Sequence, residues 1–418
     1  MTTKLVERAQ FNRMSRLLLI AWTLSLLLPI QGQAVAGTRV VRFSFPSEDG
    51  RAQLSGELDY PAAIPESTRV PVVIMIPGTG LWDRDVYLGQ SGTDADFIFR
   101  DLAYALNERG IAALRMDQRG VRCNAKTMPA CPSCSSAAEL QKHYIDSCLN
   151  KDERATVSFD SIEDDIAQAY SFAATSAGAD PSRILIFAHS EGTLHAANLV
   201  NAGRIAPSGM VFMGFASESP QSTILWQQVG RFMRILNWDT SHDGKLTNAE
   251  IDQGYRADPY FSRLGVTSDQ LHSATGYWTA STLEQTLEHQ YQDMVQEALT
   301  HADSEPYSLQ EVPFTSYAWW KRYLTDSSVT AAKLIHYPGI VIAHNGDDDT
   351  DTQTPGNREF GIAAPYANQM PHPAKLVLHA GYGHTLRKDT AIYGPIDPAI
   401  RTQLLDDISA VAGSRSER

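Results

Sequence analysis

The 418-residue chain predicts an α/β architecture: a mostly parallel, twisted sheet covered by helices on both faces, with a mainly helical insertion between its sixth and seventh strands. Three observations carry that prediction. From residue 70 onward, short apolar runs alternate with helix-period stretches, the pattern of strands buried on both faces and joined by crossover helices. The run Ile184-Leu185-Ile186-Phe187 breaks at Ala188-His189-Ser190-Glu191-Gly192 and passes into a helical stretch, Thr193–Val200, which describes a tight strand-to-helix turn carrying a serine. Finally, about 120 residues separate the apolar stretch 209–215 from the next one at Ile340, far beyond the length of an ordinary connection.

Residues 38–60 alternate around the turn Glu48-Asp49-Gly50, giving two early strands, Val40–Phe45 and Ala52–Leu58, in a hairpin-like opening. Next come strand Val70–Ile76, helix Asp94–Arg109, strand Ala112–Met116, helix Ser161–Ala177, strand Arg183–Ala188 and strand Gly209–Phe215, and the sheet resumes at Ile340. Residues 37–216 and 335–418 therefore form the sheet core, and 217–334 a lid. The lid is rich in helix-period segments such as Leu283 to Leu299, and its aromatics, Trp226, Trp238, Trp278, Trp319 and Trp320 among them, read more as its own core than as pocket lining. No internal repeat or low-complexity tract interrupts the chain.

Residues 1–36 read as a signal peptide: a basic start (Lys4, Arg8, Arg13, Arg16), 14 mostly apolar residues from Leu17 to Ile30, and the small-residue site Ala34-Val35-Ala36. The apolar run is short for a membrane span, and no other stretch is long and apolar enough, so the mature chain is expected to be exported to the periplasm or secreted, without a stable membrane span. Removing four basic residues and one acid leaves 31 basic against 47 acidic residues. Such a surface repels nucleic acid and anionic membrane, and argues against polyanionic substrates.

All four cysteines, Cys123, Cys131, Cys134 and Cys148, fall in the loop 121–150. In an oxidising compartment this clustering favours two local disulfides, with three connectivities open. A zinc set of Cys131, Cys134, His143 and Cys148 is the less favoured alternative.

A second cluster lies inside the lid. Over residues 239–250, oxygen side chains occupy positions 1, 3, 5, 9 and 12 of a twelve-residue loop, with glycine at position 6 and an aliphatic residue at position 8. That is the EF-hand pattern: Asp239, Ser241 and Asp243 as ligands, Lys245 through its carbonyl, Thr247 directly or through water, and Glu250 closing bidentately. Ser241 stands where Asp or Asn is commoner. The loop reads as a single hand holding structural Ca2+; no organic cofactor is expected.

The chemistry concentrates at predicted strand ends. Ser190 sits in the strand-to-helix turn, where Gly192 and Ala188 keep the turn uncrowded and the N–H of Glu191 lies at a helix N-terminus, favourable for developing negative charge. Val72-Val73-Ile74-Met75-Ile76 ends in Pro77-Gly78-Thr79-Gly80; Ile340-Val341-Ile342-Ala343 runs into the acidic turn Asn345 to Asp351; and Leu376-Val377-Leu378 leads to Gly381-Tyr382-Gly383-His384. Serine, carboxylate and histidine, each after a strand and in that chain order, suit nucleophilic acyl transfer.

On these residues the chain resembles the α/β-hydrolase superfamily, and within it the bacterial serine aminopeptidase-like and acyl-hydrolase group. The stretch Pro77 to Asp85 is similar to that group's Gly-Ser-Gly-Pro-x-Asp-Arg-Asp signature. Leu114-Arg115-Met116-Asp117-Gln118-Arg119-Gly120-Val121 is similar to its Arg-x-Asp-x-Arg-Gly-x-Gly element, and Ala318 to Leu324 to the aromatic segment before its seventh strand. The likeness covers about residues 40–215 and 313–410, leaving out the cysteine loop and the calcium-type loop. It implies an α/β-hydrolase fold, Ser190 as nucleophile, His384 as general base, and the N–H groups of Thr79 and Glu191 as oxyanion donors. The acid is open: spacing from Gly346 selects Asp349, whereas Thr352-Gln353-Thr354-Pro355, similar to the family's Asp-x-Gln-x-Pro, selects Asp351, which is slightly favoured. The expected activity is an exported serine hydrolase acting on a small-molecule ester, with peptide cleavage by the same triad, or a non-catalytic calcium-stabilised binding module, as alternatives.

Overall fold

The computed structural model describes residues 39–414 apart from 63, 66, 90, 125, 310–311, 353–357 and 389–393. The segment expected to be a signal peptide lies outside the described residues. The main sheet has eight strands: β1 (Arg39–Pro46), β2 (Gln53–Tyr60), β3 (Val70–Ile76), β4 (Ala112–Met116), β5 (Ala179–His189), β6 (Gly209–Met213), β7 (Ile340–Gly346) and β8 (Lys375–His379). Their order across the sheet is β1-β2-β4-β3-β5-β6-β7-β8. From β4 to β8 all pairings are parallel, and β2 runs antiparallel to both β1 and β4.

The principal helices are α1 (Ile98–Glu108), α2 (Phe159–Thr175), α3 (Glu191–Asn201), α4 (Ala280–Thr300), α5 (Tyr317–Thr325) and α6 (Pro398–Gly413). Every residue of β3 and β6 is buried, because both faces of the sheet are covered. Alternate residues of β3 go to opposite sides. Val72, Ile74 and Ile76 join Ile166 and Ala169 of α2 and Ala196 and Leu199 of α3. Val73 and Met75 join Phe99 and Leu102 of α1 and Leu404 and Ile408 of α6. Full burial of each such aliphatic side chain stabilises by about 1.5–3 kcal/mol, so these two layers fix the register. That register sets Ile76 beside Ala188, and Met213 beside both His189 and His344. The loops leaving β3, β5, β6 and β7 therefore converge at one edge.

Local differences from the expected elements have identifiable causes. The helix expected from Asp94 is interrupted: a short turn at Asp94–Asp96 precedes α1, and the Asp96 carboxylate accepts from the N–H groups of Ser91 and Gly92. Strand β6 stops at Met213 because Gly214 turns to φ 61° and the Phe215 N–H bonds the Asn345 side chain.

The segment between β6 and β7 is mainly helical, with two short strand pairs, Leu246–Thr247 with Tyr277–Trp278 and Pro306–Leu309 with Val312–Ser316. Trp226, Trp238, Trp278, Trp319 and Trp320 are buried in one apolar cluster with Leu81, Val121, Cys148 and Phe159 of the core chain, whereas Tyr277 is exposed. The aromatics thus mainly weld the insertion to the sheet domain. In the cysteine loop, Cys123 pairs with Cys148 and Cys131 with Cys134. The zinc alternative is not formed, since Cys148 is fully buried against Cys123 and His143 bonds the Pro129 carbonyl.

Candidate active site

Ser190 adopts φ 55°, ψ −124° between β5 and α3, a conformation that a non-glycine residue holds only when its surroundings enforce it. Its N–H donates to the Met213 carbonyl at 3.0 Å, and its carbonyl accepts from the Thr193 N–H at 2.9 Å and hydroxyl at 2.6 Å. A side chain at residue 192 would come within 2.7 Å of the carbonyl oxygens of Ile76 and Pro77, so the turn accepts only glycine there. The Ala188 methyl is fully buried and packs in the apolar layer between sheet and helices.

The loop after β3 lies directly on the serine. A Cβ at residue 78 would sit 2.6 Å from Ser190 Cβ and 3.2 Å from its Oγ. The loop is fixed by Gln118, which donates to the Gly78 carbonyl at 3.0 Å, and by Trp82, whose indole donates to the Thr79 carbonyl at 3.1 Å. In a trans peptide the N–H points away from its carbonyl, so the Gln118 bond sets the direction of the Thr79 N–H. The Glu191 N–H is at the first residue of α3, among the helix-start donors that have no intrahelical partner. The Glu191 side chain is itself buried and accepts from the Trp319 indole at 2.6 Å.

His384 follows β8, and its Nδ1–H donates to Asp349 Oδ2 at 2.8 Å, both groups being buried. The remaining lone pairs of Asp349 accept from the N–H groups of Asp351 (2.8 Å) and Thr352 (2.9 Å) and from the Thr352 hydroxyl (2.7 Å). Burial alone would raise the Asp349 pKa, but His384 and these donors hold it below the usual carboxylate value. Burial alone would lower His384, but Asp349 first and Asp351 second push it up to about 9. The His384 ring centroid is 4.8 Å from that of His189, the residue preceding Ser190, and burial keeps His189 neutral with a pKa of about 3. Gly214 makes room for the base: a Cβ there would approach the His384 ring to 2.8 Å.

The acid slightly favoured from the motif, Asp351, is not the one bonded to His384. Its own N–H caps Asp349, its carboxylate lies 3.7 Å from Arg231, and its carbonyl accepts from Gln227 at 2.7 Å. Arg231 also donates to the Thr350 carbonyl at 2.9 Å. Two residues of the insertion therefore fasten the acidic turn, and nothing in the sequence pattern singled them out. Among the described residues, Asp349, Asp351 and His384 are the one set of three or more His, Cys, Asp or Glu side chains whose ligand atoms all lie within 4.8 Å of one another.

A partly open cavity runs from Gly80, Glu191 and Trp319 to Ile74, Leu114 and Ile166, with Arg119, Arg154 and Asp165 also in its wall; Ser190 and His384 do not line it.

In the 239–250 loop, Asp239 accepts from the N–H groups of His242 (2.8 Å) and Gly244 (3.0 Å) and from the Ser241 hydroxyl (3.1 Å). Glu250 caps the helix Asn248–Ala257 through Thr247 and reaches back to the Ser241 N–H at 3.1 Å. The Asp243 carboxylate accepts from the Lys245 N–H at 2.8 Å. Gly244 supplies the turn at φ 78°. These are hard oxygens of the kind calcium takes, but their carboxylates are engaged by N–H groups of the loop, and Asp239, Asp243 and Glu250 do not bring their ligand atoms within 4.8 Å of one another. Leu246–Thr247 pairs antiparallel with Tyr277–Trp278, and the Asn248 N–H bonds the Gly276 carbonyl.

No protein-family model matches the chain, and no curated protein matches it. Similar solved structures include Est1E from Butyrivibrio proteoclasticus (14% identity, TM-score 0.47, covering 91% of this chain and 100% of that one). An acetyl xylan esterase from Paenibacillus sp. R4 is similar at 14% identity and TM-score 0.46, over 91% of this chain and 86% of that one. A thermostable carboxyl esterase from Bacillus coagulans, solved with glycerol, gives 13% and 0.47 over 89% and 97%. Likeness at this level does not reach the chemistry of the site, which stands on its own residues.

Proposed function

We propose that the protein is a serine hydrolase that cleaves carboxylic esters through an acyl-enzyme. The observation that carries this reading is Ser190 held at a strained strand-to-helix turn, directly after His189, whose ring lies 4.8 Å from that of His384, itself bonded to buried Asp349 at 2.8 Å. Ser190 attacks the ester carbonyl as His384 takes its proton. The N–H groups of Thr79 and Glu191 hold the oxyanion, and the protonated imidazole, stabilised by Asp349, returns the proton to the leaving alcohol. Water then repeats the sequence on the acyl-enzyme.

The protein acts outside the cytoplasm, as its expected signal and two disulfides suit; among the described residues no helix is long and apolar enough to cross a membrane. Asp239, Ser241, Asp243, the Lys245 carbonyl, Thr247 and Glu250 would hold Ca2+ once drawn together, and its charge would offset their carboxylates and stiffen the insertion. A panel of nitrophenyl esters and aminoacyl nitroanilides, run with and without a chelator, tests the reading. Ester turnover with dead anilides is expected; the reverse makes the protein a peptidase, and inertness toward both makes it a binding module.

A further inference from the structure

The side chains of both oxyanion-donor residues are held by one helix of the insertion. The Thr79 hydroxyl lies 3.4 Å from the Tyr323 hydroxyl, and the Glu191 carboxylate accepts from the Trp319 indole at 2.6 Å. Trp319 and Tyr323 are one turn apart on α5, so they share a face, and their rings lie 4.7 Å apart. The Tyr323 phenol is buried and also faces the Glu191 carboxylate, which together with burial keeps it protonated. On the far side, His195 Nε2 stands 3.4 Å from Glu191, and Glu163 of α2 holds the other ring nitrogen at 3.3 Å. Burial alone would lower the His195 pKa, but the two carboxylates raise it to about 9.

Resting on the reading of Ser190 as nucleophile, we propose that α5 sets the competence of this site: Tyr323 and Trp319 are positioning residues that fix the N–H groups of Thr79 and Glu191 by gripping those residues' side chains. The insertion is then part of the catalytic apparatus and not only a cover. Oxyanion donors contribute most when preorganised and lose value once free to drift, so the effect falls on the chemical step and not on substrate binding.

The test compares wild type with Tyr323→Phe, Trp319→Phe and Thr79→Val, using the best nitrophenyl ester from the panel and an alkyl trifluoromethyl ketone that forms a reversible tetrahedral adduct. Each variant is expected to lower kcat about tenfold to a hundredfold, a fraction of the effect of deleting a donor outright, with KM changed by less than about twofold and ketone affinity falling in parallel. Tyr323→Phe combined with Thr79→Val should cost no more than either alone, because both remove the same contact. Unchanged kcat and ketone affinity, or a rise in KM with kcat retained, overturns the proposal. Melting curves identify any variant that fails to fold, and Trp319→Phe, acting on the other donor residue, then decides. A wild-type protein that neither turns over esters nor is labelled at Ser190 by a phosphonate defeats the underlying reading instead, so the two failures are separable.

Discussion

Replacing Asp351 by Asn distinguishes the two acidic side chains beside His384 through the pH profile. Asp349 bonds the imidazole directly, whereas Asp351 acts only through its field. The ligand atoms of Asp351 and His384 lie within 4.8 Å, and at that separation two unit charges interact by about 3.5 kcal/mol at an effective dielectric of about 20, equivalent to about 2.5 pKa units before screening. Arg231 lies 3.7 Å from Asp351, whose side chain is 17% exposed, and the two effects cancel most of that field, leaving about one unit. Removing a negative charge lowers the pKa of the base, so the acidic limb of kcat/KM, set in wild type by a His384 pKa of about 9, moves down to near 8 in Asp351→Asn. The kcat on the alkaline plateau should stay within about tenfold of wild type. Asp349→Asn loses the orienting bond and should reduce kcat by about 10³ to 10⁴. Initial rates on a nitrophenyl ester from pH 6 to 10.5 measure both. Equal losses in the two variants, or a limb that moves upward in Asp351→Asn, refutes the assignment.

The remaining predictions concern the frame around the site. Gly192→Ala should destabilise the turn by roughly 2 kcal/mol or more and remove ester activity, because its methyl would strike the Ile76 and Pro77 carbonyls; urea unfolding and turnover check both. If calcium holds the insertion, a chelator should lower the melting temperature, and calcium, not magnesium, should restore it; unchanged melting refutes the calcium site. Stability should peak near neutral pH. His195 and His384, held near 9, contribute stability that is complete below the unfolded value of about 6.5 and lost as pH rises through 9, about 3 kcal/mol each at most. His344 and His189, lowered by burial to about 4 and about 3, act the other way: the unfolded chain binds their protons first as pH drops below about 6.5. A urea midpoint that climbs steadily from pH 7 to 9.5 contradicts this sign.

The sheet was readable in the sequence because strands buried on both faces need unbroken apolar runs. Val70–Ile76 and Ala112–Met116 match the expected strands end to end. Ser190 and His384 stood out for a related reason, since both follow such a run. The acid did not, because two aspartates two residues apart both satisfy a one-dimensional spacing; only the turn that lets Asp351 cap Asp349 distinguishes them. Arg231, Gln227, Trp319 and Tyr323 were hidden more deeply. They reach the site from the insertion, at sequence separations of 119 or more, and no local pattern marks which aromatic or cation of a helical segment faces a distant loop. Likewise the segment 273–279 carries no ligand motif, so its pairing with the calcium-type loop becomes visible only once the two short strands are side by side.

The most direct measurement is covalent: incubate the folded protein with a fluorophosphonate, digest it and locate the adduct by mass spectrometry. A stoichiometric phosphonyl group on Ser190, formed faster as pH rises toward 9 and nearly absent in His384→Ala, is the predicted result. A protein whose Ser190 stays unmodified over hours at pH 9, with its fold intact, contradicts the hydrolase account.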